Sequence, residues 1–343
     1  MNKKLFLLIT ALFTLVLVPV WAHAAAPFYE GKVIRIIVGH SAGGGFDTYA
    51  RIVGRHLGKH LPGNPTIIVE NMVGAGALIA GKYLYSRAKP DGLTLGTLTS
   101  QLIMVQILGR EGVDIDTRKF EWIGLPVQDH VVCIFTKSSG ITSMEKWMAA
   151  KTPVKIGGIA PGDVTADVPR ILKAALNLPI QLVEGYKGTA EIRLASESGE
   201  VAGSCWQWES MKVTWSKALE SGDVVTVLQV TPKAVPDLQK VPLATTYAKT
   251  DEARELIKMG VYEPSTITRP FFLPPGTPKD QVQVLRKAFQ ETMKDPGLLE
   301  EAKKMNLDIN PMTGEEVEEI VKGLFSMNPS VVSRLKEVLF QKK

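Results

Sequence analysis

The stretch Val33-Ile34-Arg35-Ile36-Ile37-Val38 is β-branched and almost wholly apolar, the pattern of a strand buried on both faces. It runs into Ser41-Ala42-Gly43-Gly44-Gly45-Phe46, and Asp47 then stands as an N-cap before Tyr49, Ile52, Val53, Leu57 and Leu61 at helical spacing. Arg51, Arg55 and Lys59 fall on the polar side of that helix. The unit reads strand, glycine turn, helix. A second copy of the arrangement follows: Thr66-Ile67-Ile68-Val69, the turn Gly74-Ala75-Gly76, and a helix carrying Ile79, Tyr83 and Leu84. After the turn Pro90-Asp91-Gly92, a third strand starts at Leu93-Thr94-Leu95 and ends near Thr99-Ser100. Strands alternating with helices over short links predict a parallel, doubly wound sheet.

From Val131 to Phe135 a new series opens. It contains a helix near Ser143 to Ala150, a strand Val154–Gly158, a helix from about Thr165 to Leu176, a strand around Gln181–Val183, a helix from Thr189 to about Glu197, and strands near Val201 and at Val224–Leu228. Past the proline-punctuated stretch Thr231–Pro242 the chain is helical again. Thr277-Pro278 predicts one helix start with an N1 proline, and Thr313-Gly314-Glu315-Glu316 predicts another with a capping box. The expected fold class is α/β, with two lobes, each a mainly parallel sheet flanked by helices. The first lobe is drawn as residues 27–128 plus 246–343 and the second as 129–245.

Composition adds a compartment. Lys3 and Lys4 precede an apolar run from Leu5 to Val20 that ends in Ala22-His23-Ala24, which reads as a secretory leader over residues 1–24, cleaved near 24–26. The run is too short to span a bilayer and is broken by Pro19, and no cysteine follows it for lipid attachment. The mature chain is therefore expected to be free in the periplasm. Losing Lys3 and Lys4 takes the formal charge from +5 to +3, with basic residues scattered singly, so no nucleic-acid partner is expected. Cys133 and Cys205 have no metal-ligand spacing; buried, unpaired thiols are the simpler expectation, although an oxidising compartment permits a disulfide.

Two successive glycine turns put backbone N–H groups at two helix N-termini on one edge of one sheet, where unpaired donors and the helix dipoles favour an anion. The same glycines also serve simply as tight turns. The first turn lacks the G-x-G-x-x-G spacing of a dinucleotide site and the Gly-Lys-Ser/Thr of a P-loop, so no phosphorylated cofactor is expected. Catalysis has thin support. His56 and His60 are four apart on the first helix but lack the intervening glutamate of a zinc protease, His130 reads as structural, and the acids mostly read as helix surfaces or caps.

Four segments carry a family resemblance: Val33 to Arg51, Val69 to Leu95, Gly185 to Gly188, and Phe271 to Pro278. In this order and spacing the chain resembles the solute-binding receptors of tripartite tricarboxylate transporters, the Bug family. The resemblance implies a periplasmic type II clamshell, without catalysis, cofactor or metal. It is expected to act as a monomer that closes on a small organic acid and delivers it to the membrane permease subunits. Carried over by position, the first-lobe contacts are His40, Ser41, Gly44, Gly45, Phe46, Asp47, Gly74, Ala75, Gly76, Thr99 and Ser100. Those of the second lobe are Thr165, Tyr186, Ser204 and Trp206. Two places depart from the family pattern. Gly39-His40 replaces a proline and an aromatic, and His40 either donates to a carboxylate or packs at the cleft rim. After Val201, Ala202 and Ser204-Cys205-Trp206-Gln207-Trp208 stand where aspartates are common; Trp206 or Trp208 either walls the ligand or belongs to the core, to which Trp215 is assigned. Two other readings stay open: a ligand-sensing partner of a membrane histidine kinase, and a periplasmic enzyme.

Overall fold

The computed structural model describes residues 28–340, so the leader read at residues 1–24 lies outside the described residues. Four strands come first: β1 (Val33–Val38), β2 (Thr66–Asn71), β3 (Thr94–Thr97) and β4 (Glu121–Leu125). Five follow: β5 (Val131–Thr136), β6 (Val154–Gly158), β7 (Ile180–Glu184), β8 (Gly203–Gln207) and β9 (Val224–Val230). Two short ones, β10 (Phe271–Leu273) and β11 (Met312–Thr313), return to the first group. The result is two sheets, ordered β11-β4-β10-β3-β1-β2 and β7-β6-β8-β5-β9.

In both sheets most strands share one direction, as the alternation of strands and helices predicts, but interposed reversed strands make each sheet mixed. In the first, β1 to β4 run one way and only β10 and β11 oppose them. In the second, β6 to β9 share a direction and β5 alone is reversed. The chain leaves the first sheet after Leu125 and returns at Phe271.

One core covers a face of the first sheet, where Ile34, Ile36 and Val38 meet Tyr49, Ile52 and Val53 of the helix Gly45–Leu57 and Phe289 of the helix Lys279–Met293. A second core starts on the opposite face with Ile37, Leu84, Trp122 and Phe272 and continues without a break into the second sheet at Val132, Ile156 and Trp206. The helices Asp251–Ile257 and Pro329–Phe340 pack on the helix Val164–Leu176 of the second sheet. Among the described residues no helix is long and apolar enough to cross a membrane.

Two local expectations change. Thr313 and Glu316 form the anticipated capping box, but the helix after Pro278 starts at Lys279 without a side-chain cap, because the Thr277 hydroxyl donates instead to the Pro274 carbonyl. Cys133 and Cys205 are joined rather than free. Antiparallel pairing of β5 with β8 sets these residues directly opposite each other, a register that the separate segments do not reveal. The bridge closes a loop across 72 residues of sequence. Replacing both cysteines by alanine is expected to lower the unfolding free energy by about 2–4 kcal/mol. Urea unfolding of parent and variant under oxidising conditions reads the difference, and equal midpoints would remove the bridge from the stability of the second sheet.

Candidate functional site

The first glycine turn is shaped by what cannot fit there. At Gly39 a Cβ would stand 2.5 Å from the Ala77 Cβ and 2.6 Å from a Leu98 methyl, so β1 must leave the sheet through a glycine. Gly43 then takes φ +76°, a conformation open to glycine, and Gly44 becomes the N-cap of the helix Gly45–Leu57. Asp47 is thus not the N-cap but the third helical residue, because the glycines let the helix begin earlier. Its carboxylate reaches back to accept from the Gly43 N–H and from Asn71 Nδ2, both at 3.0 Å, and it pairs with Arg51. Burial pushes the Asp47 carboxyl up, but hydrogen bonds from Arg51, Gly43 and Asn71 overcome this and hold it below the usual carboxylate range. Asp47 is spent on the shape of the turn. No side chain caps the helix it belongs to, which leaves the leading N–H groups free for a ligand.

A second uncapped helix faces this one. The helix Thr189–Glu197 begins at Gly188, again with no side-chain cap. A Cβ on Gly44 would lie 3.1 Å from Thr189 Oγ1, and one on Gly188 would lie 2.0 Å from Ser41 Oγ. Two positive helix ends, one following β1 and one following β7, therefore converge on Ser41–Gly45. Like ends held together repel, and an anion between them is the natural relief.

A third helix, Val164–Leu176, arrives already satisfied. Its N-cap Asp163 accepts from the Thr165 N–H at 2.9 Å and from the Thr165 hydroxyl at 2.6 Å, while its other oxygen lies 2.9 Å from His40 Nε2. Burial works to raise the Asp163 carboxyl, but the bond and charge of His40 and the donors of Thr165 bring it below the ordinary value. The His40 ring stacks on Phe46 with centroids 4.2 Å apart. Together these groups enclose a cavity of about 10 Å³, lined by His40, Ser41, Gly44, Gly45 and Phe46 from one side and by Asp163, Thr165, Thr189, Gln207 and Ser210 from the other. That is room for one water, so the two sides are in contact. A larger groove of about 700 Å³ lies away from these turns, where Lys212 is already paired with Asp237 and Asp308.

The structure brings only some of the residues expected at the site together. His40, Ser41, Gly44, Gly45, Phe46 and Thr165 line the cavity, although the Thr165 hydroxyl is occupied by Asp163 and by the Ile159 N–H. Asp47 sits behind it. The turn Gly74-Ala75-Gly76 reaches the second sheet beside the cavity, with a Gly76 Cβ 3.4 Å from the carbonyl oxygens of Pro161 and Gly162. Thr99 and Ser100 are buried, with the Ser100 N–H given to the Thr268 carbonyl. Tyr186 donates to Glu200. Ser204 and Trp206 point away into the second core, where Ser204 donates to the Gly157 carbonyl and Trp206 stacks on Trp215. The segment after Val201 is a buried strand, β8, and only its last residue, Gln207, reaches the cavity. Trp208 instead donates to Asp237.

Acids are not confined to surfaces and caps. Asp129 binds Arg269 in a fork, at 2.7 Å to Nε and 2.6 Å to Nη2, with both side chains excluded from solvent. Glu209 accepts from the backbone and ring of His130 at 2.9 and 2.6 Å. Burial raises the Asp129 carboxyl and the Arg269 charge opposes it, while the Glu209 hydrogen bond raises His130. Arg269 also donates to Ser210 at 2.8 Å and lies over the Phe46 and Tyr49 rings. Sequence offered no sign of this pair, whose members are 140 residues apart.

Asp167 gives a direct pH test. It accepts from the Gly162 N–H at 3.0 Å, and burial lifts its carboxyl to about 7. With the folded value above the unfolded one of about 3.9, its contribution is greatest below about pH 4 and is lost as pH rises toward 7. Asp167→Asn keeps the acceptor without the charge. It is expected to stabilise the protein by about 1–3 kcal/mol at pH 8 and to flatten the decline between acid and neutral pH. Chemical denaturation at pH 5 and 8 measures both; a variant that tracks the parent at both values would refute the buried charge.

Comparison with known proteins gives one consistent result. A family model described as the tripartite tricarboxylate transporter family receptor matches residues 49–334. A relative from Cupriavidus necator, named as the UPF0065 protein in the gbd 5' region, is 25% identical over 330 residues, which cover 92% of this chain and 90% of that one. Among solved structures, the periplasmic binding protein BugD superposes with a TM-score of 0.73 at 22% identity, covering 92% of this chain and all of that one. MatC from Rhodopseudomonas palustris, solved with bound malate, gives a TM-score of 0.70 at 19% identity, covering 90% and 99%.

Proposed function

The chain belongs to the tripartite tricarboxylate transporter receptor family, and from that premise we propose that it captures a small organic carboxylate in the periplasm and delivers it to the membrane permease of such a transporter. The observation that carries the proposal is the pair of uncapped helix N-termini, at Gly45 and Thr189, brought face to face on the glycine turn. A carboxylate between them takes up backbone N–H groups from both sides and neutralises both dipole ends at once. MatC, with its bound malate, supports the ligand class.

The mechanism proposed is hinge closure. The acid docks first on the turn Ser41–Gly45, and the side bearing Asp163 and Thr189 then shuts over it. The His40–Asp163 bond joins the two sides and adds to the closed form, because each partner comes from a different sheet. The connection 126–130 is the proposed pivot, fixed at Asp129 by Arg269 and at His130 by Glu209. No step makes or breaks a covalent bond, in keeping with a family of receptors.

Isothermal calorimetry with aliphatic dicarboxylates, aromatic acids, amino acids and neutral sugars tests the proposal. Binding of acids alone is the expected result. Binding only of sugars or cations would overturn it.

A further inference from the structure

Three buried polar atoms close to the cavity have no partner among the described residues: His40 Nδ1, Ser41 Oγ and Arg269 Nη1. Buried polar atoms in native proteins are nearly always hydrogen-bonded, so each asks for a partner, and the arginine nitrogen, which can only donate, asks for an acceptor. The first two flank the glycine turn and fall within the carboxylate site already proposed. Arg269 does not. It comes from the segment just before β10, far along the chain, and its guanidinium is 1% exposed.

Its geometry leaves one nitrogen spare. Nε and Nη2 are taken by Asp129, and Nη2 also donates to Ser210. Nη1 stands 3.3 Å from the point where a Gly45 side chain would begin, next to Ser210, whose Cβ lies 2.5 Å from the same point. Gly45, Ser210 and Phe46 all line the cavity, and the Arg269 carbon Cζ is 5.2 Å from the Phe46 ring centre. A small ligand held beside Gly45 and Ser210 thereby meets a rigid cation with two unused hydrogens. Asp129 holds the fork still, so the donor is oriented before the ligand arrives.

We propose that Arg269 is a specificity-determining residue of the cleft, its Nη1 anchoring a second acceptor group on the bound acid beside Gly45 and Ser210. The inference rests on the carboxylate reading above and narrows it: the first acid group lies on the helix ends, and the second acceptor lies against Arg269. A monoacid of the same skeleton leaves Nη1 unpaired and loses the bond. A site built to hydrogen-bond a polar group rejects analogues that lack it far more strongly than an apolar pocket rejects an extra methylene.

The test uses the full mature protein and calorimetry with three matched pairs: succinate and butyrate, adipate and hexanoate, phthalate and benzoate. The parent is expected to prefer the diacid of at least one pair by about 100-fold. Arg269→Lys keeps a charge for Asp129 but not the fork, and is expected to cut that preference about tenfold. The paired variant Arg269→Gln with Asp129→Asn removes both charges, keeps the core neutral, and is expected to cut it at least as far. Equal binding of diacid and monoacid by the parent, or an unchanged preference in either folded variant, overturns the role of Arg269 and leaves carboxylate binding standing. Failure of the parent to bind any acid overturns the carboxylate reading itself, and Arg269 falls with it.

Discussion

Gly45→Val is expected to weaken the tightest acid of the calorimetric panel by at least about 100-fold while leaving the far-ultraviolet circular dichroism spectrum unchanged. Gly45 is the first residue of its helix, in a conformation open to any side chain, so the backbone suffers no strain. The obstacle is across the contact: a Cβ there would stand 1.9 Å from Ser210 Oγ and 2.5 Å from Ser210 Cβ. Rotating the serine removes the first clash and not the second. The helix Trp208–Thr214 must move away, and it belongs to the other sheet, following β8 directly. Relief therefore comes from separating the two sides, which undoes closure, rather than from disrupting either core. Gly188→Val tests the same idea at another point, where Ser41 is the neighbour and φ of 178° is ordinary extended backbone. Gly44→Ala is the mild control, because its nearest neighbour is only the rotatable Thr189 hydroxyl at 3.1 Å. Near-normal affinity in both valine variants would mean that the acid binds without bringing these surfaces together.

The two turns that carry this prediction differ in how far sequence reveals them. The turn after β1 was legible because a β-branched run, a block of glycines and a helical repeat follow one another within a single local unit. Local pattern also located the helix starting at Thr189 and the capping box at Thr313. What it could not supply was register between distant strands. The pairing of β5 with β8 decides both the Cys133–Cys205 bridge and the direction of Trp206: in a strand alternate side chains face opposite sides, and Trp206 falls on the side that meets Trp215. A tryptophan in a loop and one in a buried strand look alike in sequence when the strand is short and rich in small polar residues, as Gly203-Ser204-Cys205-Trp206-Gln207 is. The same limit hid Asp163, Thr189, Gln207 and Ser210, which reach the cavity only because three helices start on one edge of the second sheet.

Asp129→Ala is expected to cost about 3–5 kcal/mol of stability, the largest loss from any single side chain at the cleft. The reason is what remains. Without Asp129 the Arg269 guanidinium keeps its charge in a site closed to solvent, with Ser210 and the faces of Phe46 and Tyr49 as its remaining contacts and the Glu209 charge acting on it without a direct bond. Glu209 is engaged by His130. The pair itself is a different matter, since burying two charges offsets most of what their attraction returns. Asp129→Leu combined with Arg269→Met is accordingly expected to recover most of the lost stability, so that the two substitutions are strongly non-additive in urea unfolding. A coupling energy near zero would mean that water reaches Arg269. That outcome would also remove the preorganised donor on which selection of a second acceptor depends. Recovered stability without recovered preference for diacids is the combination that separates the two roles of this arginine. Its contact with Asp129 supports the fold, and its free nitrogen reads the ligand.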